Sequence, residues 1–149
     1  MKRFVFSLER MQNYKQQVLN REKSTLRRLR QQRDAIEDRI SGLQQYCRQK
    51  NLELQDKQKL GMSAAELNAY GYLMENARRQ LESSRAELAQ AEAEVERQRK
   101  IVLTATQEVS GLDKLEEKQL EAYRLETARD NEQQISEQVS IRLVRKRSS

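Results

Sequence analysis

The chain has 149 residues, of which 35% are charged and 36% hydrophobic, and it contains four glycines and no proline. The apolar residues suffice for a narrow seam between helices, but not for the thick core of a globular domain of this length. The formal net charge of +6 permits an anionic partner, although 23 acidic residues are interspersed with the 29 basic ones. We therefore predict one extended all-α domain over residues 1–149 and exclude a compact globule.

The N-terminal segment combines positive charge with apolar residues, as the start of a signal peptide does. Glu9 and Arg10 end its apolar stretch far too early for a signal peptide. No run in the chain approaches the roughly 18 apolar residues that a membrane span needs. The single cysteine, Cys47, cannot form an internal disulfide. We expect a cytoplasmic protein in a reducing compartment.

The first helix is predicted at about residues 7–58. Its apolar residues follow the alternating three- and four-residue spacing of a coiled coil, interrupted by Arg33 and Lys50. Nearer the N-terminus, Leu8, Met11 and Val18 belong to a displaced frame, which indicates a stutter between Val18 and Leu26. The predicted seam residues of this helix are Leu26, Leu29, Ile36, Ile40, Leu43, Cys47 and Leu54.

A turn is predicted at about residues 59–63. Ser63 with Glu66 forms a capping-box pattern, and Met62 with Leu67 occupies the positions of a hydrophobic staple. Gly61 can adopt the left-handed conformation that ends a helix. So short a connection makes the two helices antiparallel. The predicted fold is a long two-helix antiparallel coiled-coil hairpin, in which residue i lies near residue 122 minus i, to within about a turn.

The second helix is predicted at about residues 64–143, followed by a frayed basic tail at 144–149. Ser84 and Gln98 are polar exceptions within its heptads, and Gly111 is a point of weakness. Because this helix is the longer one, its end extends past the start of the first. The strongest feature is an apolar residue at every seventh position, formed by Leu67, Met74, Leu81, Leu88, Val95, Val102 and Val109.

Catalysis is excluded by residue type. The chain has no histidine, so the usual zinc-ligand and imidazole-base arrangements are absent. No glycine-rich phosphate loop is present, and neighbouring carboxylates such as Glu116 and Glu117 point in different directions on a helix. We predict no catalytic, cofactor-binding or metal-binding residues.

A basic run in the first helix invites comparison with the DNA-binding helix of basic leucine-zipper proteins. The asparagine and alanine positions of that motif are missing, and the heptads continue through the run. We interpret it as a solvated face, partly neutralised by Glu92, Glu94 and Glu96, although a surface for an acidic protein also fits. The run consists of Arg21, Lys23, Arg27, Arg28, Arg30 and Arg33.

Tyr46 and Leu73 are the strongest candidates for a binding surface. Tyr46 comes to lie near residue 76 in the hairpin and Leu43 near residue 79, so Tyr46, Leu73 and Ala77 form one patch across both helices. Clustered apolar side chains near one end of a hairpin indicate a protein-binding site.

The sequence resembles the FliJ family of the flagellar type III export apparatus. The resemblance rests on the opening Phe4-Val-Phe6-Ser-Leu8-Glu9-Arg-Met11, the Gly-Met-Ser turn, and the stretch from Leu112 to Arg124. It extends over nearly the whole chain. The family fold is an antiparallel coiled coil similar to the γ-subunit central stalk of rotary ATPases.

The resemblance implies that the end near both termini inserts into the hexameric export ATPase FliI. It also implies contacts with the export gate FlhA, the ATPase regulator FliH and export chaperones, and a position at the inner face of the membrane. The implied gate-binding residues are Leu43, Tyr46, Leu73 and Ala77. The implied ATPase-binding residues are Phe4, Phe6, Leu8, Met11, Leu112, Leu115, Leu120 and Tyr123.

Two other functions fit the sequence less well. One is a general coiled-coil scaffold or adaptor unrelated to secretion, which would favour a parallel dimer, whereas the hairpin is expected to be monomeric when free. The other is a nucleic-acid binder that uses the basic run; we expect no nucleic-acid partner. Loss of binding with salt would reveal phosphate contacts.

Overall fold

The computed structural model describes residues 3–148; Met1, Lys2 and Ser149 lie outside the described residues. Helix α1 spans Glu9–Leu60 and helix α2 spans Ala64–Ser148. The described part of the chain contains no strand. The helices pack as an antiparallel two-helix hairpin, and the predicted all-α fold class is confirmed.

The helix ends differ somewhat from the predicted ones. Helix α1 begins at Glu9 and extends to Leu60, and α2 continues beyond the predicted end at 143 through the tail that was expected to fray. The last turn of α2 carries Arg145, Lys146 and Arg147. Positive charge there is stabilised by the negative end of the helix dipole, which explains the continuation.

The connection has the predicted turn chemistry. The Ser63 Oγ accepts a hydrogen bond from the Glu66 backbone N–H at 3.2 Å, and the Ser63 carbonyl accepts one from the Leu67 N–H at 3.1 Å. Gly61 has a φ of 98°, in the left-handed region that favours glycine. Ser63 therefore caps the start of α2, while Gly61 ends α1.

Two compact units divide the hairpin. The turn unit comprises Asn20–Leu103, and the terminal unit comprises Met1–Leu19 together with Thr104–Ser149. Each unit takes one segment from α1 and one from α2.

The seam of the turn unit follows the predicted heptads. Leu26 and Ile40 of α1 are 7% and 8% exposed, and Ala77 and Val95 of α2 are 4% and 7% exposed. The alternating steps of three and four residues explain this burial, because they keep one stripe of each helix facing the other. Leu67 is the exception, at 46% exposed. It lies in the first turn of α2, and Leu60, the apolar residue in the last turn of α1, is itself 88% exposed and does not cover it.

Polar residues interrupt this seam, and their polar groups have hydrogen-bond or ion-pair partners. Gln98 is 8% exposed, and its Nε2 donates to the backbone oxygen of Glu22 at 3.1 Å and also to the Glu22 carboxylate. Arg33 and Lys50 face inward but reach carboxylates of their own helix, Asp34 at 3.0 Å and Glu53 at 3.2 Å. Their long stems pack in the seam while the charged ends stay hydrated.

The terminal unit corrects the predicted frame of α1. Leu19 is 4% exposed, whereas Met11 of the predicted frame is 49% exposed. The half-buried and buried positions are Leu8, Gln12, Lys15, Val18 and Leu19. All of these except Val18 keep the spacing of three and four, which continues through Glu22 to Leu26. No stutter is therefore needed, and the prediction of one was wrong. The sequence pattern misled because it gave inward positions to apolar residues only.

Specific polar contacts hold Gln12 and Lys15 at these inward positions. The Gln12 Nε2 donates to Asp113 Oδ1 at 2.7 Å, and the Lys15 Nζ lies 2.8 Å from Glu108 Oε2. The hydrogen bond and charge of Glu108 raise the pKa of Lys15. Across the same unit, Ala105 and Val109 of α2 are each 8% exposed and supply the apolar contact.

Candidate interaction surfaces

The segment before α1 packs on α2 in the terminal unit. Phe6 is only 5% exposed, and the ring of Phe4 lies 5.5 Å from that of Tyr123, centroid to centroid, at an angle of 47°. Tilted aromatic pairs at this separation are stabilising. The Glu9 N–H donates to the Phe6 carbonyl at 3.2 Å, which fixes the entry of this segment into α1. The N-terminal segment thereby continues the cover of α2 beyond the first turn of α1.

The eight predicted ATPase-binding residues fall into two groups. Met11 and Leu115 face solvent, at 49% and 37% exposed. The other six are buried or half-buried and hold the terminal unit together: Phe4, Phe6, Leu8, Leu112, Leu120 and Tyr123. Only the first group offers an apolar surface to a partner without rearrangement. We call Met11 and Leu115 the terminal patch.

Helix α2 continues without cover after Thr127. Every described side chain from residue 128 to 148 is exposed. Apolar residues recur in this segment at intervals of four, with Ile135, Val139 and Leu143 at 61%, 50% and 58% exposed. The greater length of α2 predicted an overhang here, but the sequence pattern did not single out these side chains.

The four predicted gate-binding residues meet in one groove of the turn unit. Leu43 and Tyr46 come from α1 and Leu73 and Ala77 from α2, and the groove encloses about 180 Å³. Tyr46 and Leu73 are 36% and 42% exposed, while Ala77, at 4%, forms the floor. Sequence reasoning missed the two amides that also line this groove, Asn76 and Gln80. We call these six residues the turn-unit groove.

A lysine lies against the aromatic side chain of the groove. The Lys50 Nζ lies 5.6 Å from the centroid of the Tyr46 ring, within the range of a cation–π contact. The hydrogen bond to Glu53 and the charge of that residue raise the pKa of Lys50. Glu53 also accepts a hydrogen bond from the Tyr70 hydroxyl at 3.4 Å, so this cluster joins α1 to α2.

The basic run lacks its predicted acidic partners. Among the described residues, no ion pair joins it to Glu92, Glu94 or Glu96. Glu96 instead pairs with Arg99 of its own helix at 2.7 Å, which lowers the pKa of the Glu96 carboxyl. The predicted partial neutralisation of the run therefore does not take the form of direct ion pairs.

The described residues offer no cluster of three or more histidine, cysteine, aspartate or glutamate side chains suited to a metal ion. Among them, no helix is long and apolar enough to cross a membrane. What the geometry does present is a groove formed by both helices in the turn unit, one exposed apolar residue from each helix in the terminal unit, and a single helical segment without cover.

The model of the family described as "Flagellar FliJ protein" matches residues 4–148. The chain belongs to the FliJ family. The match covers both helices, the turn and the N-terminal segment, and FliJ proteins are components of flagellar export. No curated protein and no solved structure matches the chain.

Proposed function

We propose that this FliJ protein binds and stimulates the hexameric export ATPase through its terminal unit and contacts the export gate through the turn-unit groove. The observation that carries the proposal is the separation of two apolar surfaces into two compact units. The terminal patch lies in one unit, and the groove around Tyr46 and Leu73 lies in the other. One chain can then hold two partners without competition between them.

The uncovered end of α2 supports the ATPase half of the proposal. A single helix with its side chains is about 10–12 Å across, which is slender enough to enter the opening of a ring. Ile135, Val139 and Leu143 present apolar surface there, in the same unit as the terminal patch. A helix that contacts several subunits binds the assembled ring better than free subunits. It therefore stabilises the hexamer and raises ATP hydrolysis through mass action.

The turn-unit groove supports the gate half. Its exposed Tyr46 and Leu73 stand over the small side chain of Ala77, an arrangement that accepts an apolar side chain of a partner. Tyrosine is among the residues that dominate binding energy at interfaces. Contact at the gate would place the protein at the inner face of the membrane. The family resemblance extends the proposal to the regulator FliH and to the recycling of export chaperones.

Two double variants test the proposal, and each is the control for the other. We expect Met11→Ser with Leu115→Ser to lower stimulation of the cognate ATPase at least tenfold and to leave gate binding unchanged. We expect Tyr46→Ala with Leu73→Ala to weaken binding to the cytoplasmic part of the gate by a similar factor and to leave ATPase stimulation unchanged. Hot-spot residues cost about 1–2 kcal/mol or more each when truncated.

The measurements are ATP hydrolysis and co-elution with each partner. Absence of stimulation and of co-elution by the unmodified protein would refute the ATPase half. Equal loss of both activities in both variants would refute the division between the two units. A parallel dimer with an open turn would instead favour a general scaffold.

A further inference from the structure

Five exposed cations lie on the outward side and the two flanks of α1 in the turn unit, and neither half of the proposed function uses them. They fall within ten consecutive residues, which span roughly 14 Å of helix at 1.5 Å per residue. All five side chains are exposed. We call them the basic face: Arg21, Lys23, Arg27, Arg28 and Arg30.

The basic face makes no close ion pair with the rest of the described chain. No ion pair within residues 3–148 involves any of its five side chains. Glu22, the one acidic residue among them, turns toward α2, where Gln98 donates to it. The next acidic residue, Asp34, is paired with Arg33 at 3.0 Å. The five charged groups are therefore free to pair with an external partner.

The residues between the cations indicate what kind of partner fits. Leu26 is buried and Leu29 half-buried, so neither lies on the basic face. The outward positions between the cations are polar, as at Ser24 and Gln31. Protein interfaces normally need buried apolar or aromatic anchors. Single-stranded nucleic acid needs aromatic side chains for stacking in a groove, and this helix surface is convex and has none. A flat, diffuse layer of negative charge requires only cations.

We propose that the basic face adsorbs electrostatically to a bilayer of anionic phospholipid. Clusters of four to eight lysines and arginines bind such surfaces, and each cation contributes roughly 1 kcal/mol. Because no apolar side chain inserts, adsorption depends on charge alone and is weakened by salt. This inference goes beyond the proposed function, because it needs neither the ATPase nor the gate.

Sedimentation of the full chain with lipid vesicles tests the proposal. We expect binding to vesicles of phosphatidylcholine mixed with phosphatidylglycerol, and none to phosphatidylcholine alone. Arg27→Gln, Arg28→Gln and Arg30→Gln together should reduce partitioning on the order of a hundredfold, at about 1 kcal/mol per cation. These side chains are exposed, and glutamine is a good helix former. Circular dichroism then checks that the fold is retained.

Two controls remove three positive charges elsewhere. In the first, Arg78, Arg79 and Arg99, which are paired with Glu75, Glu82 or Glu96, are changed to glutamine. In the second, Arg142, Arg145 and Arg147 near the end of α2 are changed in the same way.

We expect both controls to retain most of the vesicle binding. The proposal is overturned if the unmodified chain ignores anionic vesicles, or if either control loses as much binding as the basic-face variant. Tighter binding of duplex DNA than of vesicles at the same salt would also overturn it, in favour of nucleic acid. ATPase stimulation, measured without lipid, is unaffected by any of these outcomes.

Discussion

Gln98 places an amide at a seam position where a larger apolar residue would ordinarily pack. Its side chain satisfies both the backbone carbonyl and the carboxylate of Glu22, so a polar pair crosses the middle of the turn unit. A buried polar pair of this kind contributes less to stability than apolar packing, but it disfavours every alternative register in which one partner would be left alone.

We predict that Gln98→Ala lowers the free energy of unfolding by about 1–3 kcal/mol, because Glu22 keeps its partly buried carboxylate and loses the donor. Glu22→Leu combined with Gln98→Leu should restore or exceed the original stability, because two apolar side chains then fill the seam. Urea unfolding followed by circular dichroism measures both effects. Gln90→Ala, on the exposed side of α2, is the control. An equal effect of Gln90→Ala and Gln98→Ala would contradict the assigned role.

A second residue-scale prediction concerns Glu75. The hydrogen bond from Arg78 lowers the pKa of the Glu75 carboxyl below its ordinary value of 4.5, although partial desolvation opposes the shift. Since the pKa is lower in the folded state, this pair stabilises the fold above the ordinary pKa. That contribution to stability is lost as the pH falls through the lowered pKa of Glu75 in the folded state. We expect Arg78→Gln to raise the pKa of Glu75 in an NMR titration.

Arg97→Gln is the matched control for the Glu75 titration, because no ion pair of Arg97 occurs within the described residues. It should leave the pKa of Glu75 unchanged. A Glu75 carboxyl that titrates at its ordinary value in the unmodified protein would show that the pair does not form in solution.

At the scale of secondary-structure elements, two glycines differ in whether their backbone conformation requires glycine. Gly61 has a positive φ of 98° in the connection, whereas Gly111 lies inside α2. No atom comes within 4 Å of a Cβ added at either position, so steric clash does not separate them. The difference is conformational. Only Gly61 adopts a conformation that side chains disfavour, and Gly111 merely loses more entropy on folding than alanine would.

We therefore predict changes of opposite sign for the same substitution. Gly61→Ala should destabilise the hairpin by about 1 kcal/mol through strain at positive φ. Gly111→Ala should stabilise it by about 0.5–1 kcal/mol through higher helix propensity. Thermal unfolding of the two variants measures the difference. A stabilising Gly61→Ala would mean that the connection does not require the left-handed conformation.

Most of the α2 seam and the turn could be predicted from sequence. Apolar side chains recur every seven residues along α2, and Gly61 followed by Ser63 is a typical signal for the end of one helix and the start of the next. The start of α1 could not be predicted. Its inward residues Gln12 and Lys15 are polar, and their contacts with Asp113 and Glu108 join positions about a hundred residues apart. Counting back by seven from Leu26 would have found Leu19.

The turn-unit groove could be predicted from sequence better than the terminal patch, because the register between the helices is set at the turn. The expected pairing of residue i with residue 122 minus i brought together Leu43, Tyr46, Leu73 and Ala77, since the register near the turn follows directly from the connection. It could not distinguish the exposed Met11 from the buried Phe6, because Phe6 precedes α1 and its position depends on tertiary packing.

At the scale of the whole molecule, the apolar heptads of α2 are covered by α1 of the same chain. A long heptad seam ordinarily recruits a second chain, but here its partner is already supplied within each unit. We predict a monomer, with a mass near 17.6 kDa by light scattering at micromolar concentration. A dimeric mass that Ile135→Ser, Val139→Ser and Leu143→Ser together reduce to the monomer would show self-association through the uncovered end of α2.

The antiparallel pairing also sets the order in which contacts can close. Tyr70 and Glu53 are 17 residues apart in sequence, Arg39 and Glu87 are 48 apart, and Gln12 and Asp113 are 101 apart. The entropic cost of closing a loop rises with the sequence separation of its ends. Each contact that forms shortens the loop that the next contact must close. Folding should therefore nucleate at the turn beside Gly61 and propagate along both helices away from it. The aromatic contact between Phe4 and Tyr123 should close late, and during unfolding it should be among the first to open.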